Sequence, residues 1–118
     1  MKYLVTDDSK LARLSLIKSL KSLTDSEVEI FQAANGAEAV EIVKNEKPDI
    51  AFLDLTMPIM DGYEALPLML EAYSKLKIVV VSADIQEQAK TKVIELGAQL
   101  HVQKPINADK MKDILEIL

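Results

Sequence analysis

Two hydrophobic periods alternate along the chain. Tyr3, Leu4 and Val5 form a short unbroken apolar run, and so do Ile50 to Leu53 and Ile78 to Val81. Runs of this kind suit strands covered on both faces, as in a parallel sheet. Val28 to Ala34 and Leu100 to Val102 read as two further strands with a weaker apolar signal. Between the strands the apolar spacing changes to steps of three and four. Ala12, Leu16, Leu20 and Leu23 share the face of a first helix, and Val40 and Val43 mark a second. Ala89, Val93 and Leu96 mark a later one, and Met111, Ile114, Leu115 and Leu118 mark the last. A third helix is expected from about Asp61 to Tyr73, with Pro67 inside it bending the helix or shifting its start. Gly97 stands where a helix C-cap is expected. Pro48 separates the polar end of the second helix, Lys44 to Lys47, from the next strand.

Strand–helix repeated five times predicts a doubly wound α/β fold, a five-stranded parallel sheet with five helices. Right-handed crossovers then place helices on both faces. The 118 residues fit one domain, 1–118, able to bury a core without disulfides or metals.

Composition narrows the picture. Half the residues are hydrophobic and 28% are charged, so disorder is a poor reading. No apolar run approaches the roughly 20 residues of a membrane helix, and the N-terminus lacks the apolar region and cleavage site of a signal peptide. A cytoplasmic location is the expectation. The absence of cysteine removes disulfide and thiol chemistry. A net charge of −5 argues against direct nucleic-acid binding and for protein partners.

The candidate chemistry lies where sites form in open α/β sheets, beyond the carboxyl ends of the strands. Asp7 and Asp8 follow the first strand, Asp54 ends the third, Ser82 ends the fourth, and Lys104-Pro105 follows the fifth. If the first and third strands are neighbours, three carboxylates crowd together and raise one another's pKa unless a charge compensates. A magnesium ion, with its preference for oxygen ligands, supplies one such charge, and Lys104 supplies another. A carboxylate can act as a nucleophile toward phosphorus. A metal, a lysine and a hydroxyl can then neutralise the phosphoryl oxygens. Asp54, Lys104 and Ser82 match these parts.

In this order and spacing the pieces resemble the receiver domains of two-component response regulators. They are Asp7-Asp8, Phe52-Leu53-Asp54-Leu55-Thr56-Met57-Pro58, Met60-Asp61-Gly62, Val81-Ser82-Ala83 and Lys104-Pro105, and they span the chain. The resemblance implies a flavodoxin-like strand order, 2-1-3-4-5. It implies a stand-alone, chemotaxis-type or phosphorelay receiver that accepts a phosphoryl group on Asp54 from a histidine kinase or a small donor. Self-catalysed phosphorylation and autodephosphorylation are implied, without turnover of a separate substrate. Magnesium is implied at Asp7, Asp8, Asp54 and the Thr56 backbone carbonyl, with Asp8 binding directly and Asp7 mainly through water. Ser82 and Lys104 would contact the phosphoryl oxygens, and the Lys104–Pro105 bond would be cis. Thr56 and Asp84 occupy positions that tune dephosphorylation. A downstream target would dock on the fourth helix, fifth strand and fifth helix.

One residue departs from the pattern. The switch position on the fifth strand, usually Tyr or Phe, is His101, the single histidine. A smaller, more polar ring predicts a weaker or pH-sensitive switch together with Ser82. Plainer readings exist: Asp7 or Asp8 as a helix N-cap, Asp61-Gly62 as the start of the third helix, and Met57 and Met60 as packing residues. Other functions make different demands on the same positions. A haloacid-dehalogenase-like phosphatase needs a second Asp where Thr56 stands. A flavodoxin needs a phosphate loop where Asp7-Asp8 would repel the phosphate. A receiver excised from a larger regulator, or a degenerate one acting as a scaffold, would keep the fold.

Overall fold

The computed structural model describes residues 1–83 and 86–118; the tuning position Asp84 lies outside them. Strands and helices alternate as β1 (Lys2–Thr6), α1 (Lys10–Lys21), β2 (Glu29–Ala33), α2 (Gly36–Glu46) and β3 (Ile50–Leu53). They continue as α3 (Gly62–Ala72), β4 (Lys77–Ser82), α4 (Glu87–Glu95), β5 (Leu100–Gln103) and α5 (Ala108–Ile117). All strand pairs are parallel, in the order β2-β1-β3-β4-β5. The direction of winding reverses between β1 and β3, and a crevice opens there at the carboxyl edge.

Period-two alternation divides the central strands between two cores. Leu4, Ala51, Leu53, Ile78 and Val80 face Val40 and Val43 of α2, Leu66 and Met69 of α3, and Val93 of α4. Tyr3, Val5, Phe52, Val79 and Val81 face Leu16, Ile17 and Leu20 of α1 and Met111 and Ile114 of α5. β1, β3 and β4 carry the unbroken apolar runs because helices cover both their faces.

The expected elements are present with small shifts. α1 stops at Lys21, so Leu23 falls beyond the helix and is largely exposed, while Ile17 joins the buried stripe. The first helix is capped by Ser9, whose side chain accepts the Ala12 N–H, and not by either aspartate. α3 begins at Gly62 with Asp61 as its N-cap, accepting from the Glu64 N–H, and runs unbroken through Pro67. Pro67 sits on the exposed side, opposite the face that buries Ala65, Leu66 and Met69, so packing outweighs the missing N–H. Gly97 ends α4 as expected, with φ of +114°. The Ala98 N–H bonds the Val93 carbonyl and the Gly97 N–H the Ile94 carbonyl, the pair of bonds that closes a helix on a left-handed residue.

Candidate functional site: an acidic crevice facing a lysine

The sheet holds three charged residues one step past its strand ends. The Asp7 N–H donates to the Ala33 carbonyl at 3.1 Å, the Asp54 N–H to Thr6 at 3.0 Å, and the Lys104 N–H to Ser82 at 2.9 Å. Each backbone is thus an extension of the ladder, and each side chain starts from a rigid base. Lys104 and Pro105 are joined by a cis peptide bond.

The side chains converge. The Lys104 ammonium lies 2.5 Å from Asp7 Oδ2 and 3.4 Å from Asp54 Oδ2. Asp54 Oδ1 accepts the Leu55 N–H at 2.8 Å, and Asp7 Oδ1 accepts the Ser9 N–H at 2.9 Å. Asp7 and Asp54 are buried, whereas Asp8 is exposed at the rim. Ser82 is buried at the end of β4, next to this edge. Thr56 lies exposed just beyond Asp54 in the β3–α3 loop. His101, partly buried on β5, is paired in register with Val80.

Two features shape the loop after Asp54. The Met60 N–H closes a tight turn onto the Pro58 carbonyl at 2.7 Å, with Ile59 at φ of +70° in the middle. A β-branched residue with positive φ is strained, and this one is 84% exposed, so no packing of its own side chain explains the conformation. Gly62 then lets α3 start against the site. A Cβ there would run into the Asp54 carbonyl oxygen and meet the Leu55 Cα at 2.9 Å, so the close approach requires glycine.

Electrostatics follow from the crowding. Burial, and then the charge of Asp7, push the Asp54 carboxyl above its ordinary value; Lys104 and the Leu55 N–H pull the other way without cancelling the rise. At Lys104 burial works against the ammonium. Its hydrogen bond to Asp7 and the charges of Asp54 and Asp7 outweigh that and raise its pKa overall. One carboxylate oxygen from each of Asp7, Asp8 and Asp54 lies within 4.8 Å of the others. An all-oxygen set with this excess of negative charge fits a hard divalent cation of the magnesium type.

Sequence reasoning did not find Arg13. From the first turns of α1 its guanidinium donates to the Asp7 backbone carbonyl at 2.7 Å and to Gln32 Oε1 on β2 at 3.0 Å. A side-chain bond to a main-chain carbonyl leaves no motif. The sole signal was an arginine six residues after Asp7.

A parallel α/β sheet in this order, with a carboxylate trio and a lysine at its switch point, defines a class: doubly wound, flavodoxin-like domains with an acidic crevice at the carboxyl edge. Comparison narrows the class to a family: the profile of the response regulator receiver domain matches residues 3–116. The chain belongs to this family of signalling phosphoacceptor domains. It is 38% identical over 116 residues to the chemotaxis protein CheY of Listeria monocytogenes, covering 98% of this chain and 96% of that protein. It is 33% identical to the sporulation initiation phosphotransferase F of Bacillus subtilis, covering 98% and 90%. Among solved structures it resembles a chain of the CheX–CheY–BeF3–Mg complex of Borrelia burgdorferi. There the TM-score is 0.88 at 30% identity, covering 98% of this chain and 86% of that one.

Proposed function

We propose that Asp54 is the phosphoacceptor of a magnesium-dependent signalling switch fed by a histidine kinase. The observation that carries the reading is the state of Asp54. It is a buried carboxylate pressed by a second acid, with a lysine ammonium 3.4 Å from one oxygen. Such a group is uncomfortable as it stands and becomes comfortable when positive charge arrives.

In the transfer, an Asp54 oxygen forms the new bond to phosphorus. The bond from phosphorus to the donor's histidine nitrogen, or to the carboxyl oxygen of a donor such as acetyl phosphate, breaks, and the donor leaves with the bonding electrons. Lys104 stands ready for the phosphoryl oxygens and is already fixed by the ladder and by Asp7. The buried Ser82 hydroxyl lies at the same edge to receive another oxygen. Asp7, Asp8, Asp54 and the Thr56 carbonyl would hold magnesium, whose charge would offset that of the carboxylates and of the incoming group. The solved relative was crystallised with magnesium and beryllium fluoride, which supports carrying that chemistry here.

Once modified, the site presents new acceptors and added negative charge. Ser82 moves toward them, His101 turns into the space it leaves, and the α4–β5–α5 face carries the change to a target protein. The chemotaxis and phosphorelay relatives support a role in which the readout is protein binding.

The decisive experiment is incubation with acetyl phosphate and magnesium followed by intact mass. Wild type should gain one phosphoryl group and Asp54→Asn none. A gain that persists in Asp54→Asn removes Asp54 from this role, and no gain in wild type removes the reading altogether.

A further inference from the structure

The first turn of α1 differs in charge from those of the other helices, and its acids, Asp7 and Asp8, stand before the cap instead. The helix N-terminus carries partial positive charge and favours acidic residues in the first turn. Glu38, Glu64, Glu87 and Asp109 occupy the first turns of α2, α3, α4 and α5, while the first turn of α1 has no acid. It has Lys10 at the start and Arg13 close behind. Something other than the helix favours a cation there.

Arg13 shows what it is. Side chains on a helix lean toward its N-terminus, so a residue in the second turn reaches back over the loop that precedes the helix. Here that loop is Asp7, Asp8 and Ser9. The guanidinium bonds the Asp7 carbonyl at 2.7 Å with one nitrogen and Gln32 on the edge strand at 3.0 Å with another. Asp7 is therefore fixed four ways. Its N–H is in the ladder with Ala33, its carbonyl is on Arg13, and its two carboxylate oxygens are on the Ser9 N–H and Lys104.

We propose that Arg13 is a positioning residue for the metal site, acting through the Asp7 backbone and braced by Gln32, and that it sets the magnesium affinity of the crevice. The inference rests on the phosphoacceptor reading above. The clamp holds the chain between Thr6 and Ser9 in the form that aims Asp7 and Asp8 at Asp54. Its charge also offsets part of their repulsion without occupying a carboxylate oxygen. Lysine can supply the charge but not the two-nitrogen bridge.

The test is calorimetric titration of magnesium chloride into wild type, Arg13→Ala, Arg13→Lys and Gln32→Ala, with thermal melts in EDTA alongside. Outer-shell partners of this kind are worth about 10- to 100-fold in metal affinity. Arg13→Ala should weaken magnesium binding by about tenfold, at the lower end of that range. Arg13→Lys should recover only part of the loss. Gln32→Ala, an exposed position that tolerates change, should weaken binding by a smaller factor. At saturating magnesium, phosphorylation of Arg13→Ala by acetyl phosphate should approach the wild-type rate, because the loss lies in binding. Unchanged affinity in Arg13→Ala overturns the proposal, and so does full recovery by lysine. If Arg13→Ala does not fold, unchanged affinity in Gln32→Ala overturns it instead. A wild type without magnesium affinity overturns the functional reading and this inference together. Normal wild-type binding with indifferent variants overturns the clamp alone.

Discussion

At the scale of the residue, the site is held at a cost to the metal-free protein. The raised pKa of Asp54 means that the folded state binds its proton more tightly than the unfolded chain does. Its contribution to stability is therefore complete below the ordinary value of 3.8 and falls as pH rises through the higher folded value. At neutral pH the ionised carboxylate works against folding. Asp54→Asn should accordingly melt a few degrees higher than wild type in EDTA at pH 7, with the difference shrinking toward pH 4. Equal melting temperatures at pH 7 would show that Lys104 fully offsets the crowding. Lys104 has the opposite range: its raised pKa stabilises the fold up to its ordinary value of 10.5 and loses that effect as pH climbs further. Asp54 and Lys104 were readable from the sequence because each ends or follows an apolar run. Arg13 was not, because its partner is a carbonyl that any residue would offer.

Among the elements, the β3–α3 connection ties local backbone geometry to the site. Gly62 lets the start of α3 press on the Asp54 carbonyl, and its N–H donates to the Leu55 carbonyl at 3.0 Å. A methyl group at Gly62 has nowhere to go but into the backbone of the Asp54–Leu55 peptide. Gly62→Ala should destabilise the protein by roughly 1–3 kcal/mol, the usual cost of overpacking, and slow phosphorylation of Asp54 as well. Urea melts and intact-mass kinetics check both parts, and a variant with wild-type rates would mean that α3 can shift without moving Asp54. Element positions were legible from periodicity, since two-sided burial writes β1, β3 and β4 as unbroken apolar runs. The boundaries were less so. α1 ends before Leu23, and α3 passes through Pro67, because tertiary packing of one face decides where a helix can continue.

On the scale of the whole molecule, the proposed switch joins the crevice to the far face through β4 and β5. Ser82 ends β4, and His101 faces Val80 in the adjoining register. A histidine ring buries less apolar surface on turning inward than tyrosine would. His101→Tyr should therefore widen the gap in target affinity between phosphorylated and unphosphorylated forms, by on the order of 1 kcal/mol, and His101→Ala should narrow it. Pull-downs of the target with and without beryllium fluoride measure that gap, and two variants identical to wild type would take His101 out of the switch. The sequence by itself determined the alternation of strands and helices, the two-sided core and the presence of acids and a lysine just past the strand ends, because burial and charge are properties of local residue types. Which carboxylate Lys104 pairs with, which residue caps α1, how closely α3 approaches Asp54 and what braces Asp7 were decided only in the folded chain. These are distances between segments far apart in sequence, and they are set by the sheet order and by backbone groups that every residue shares.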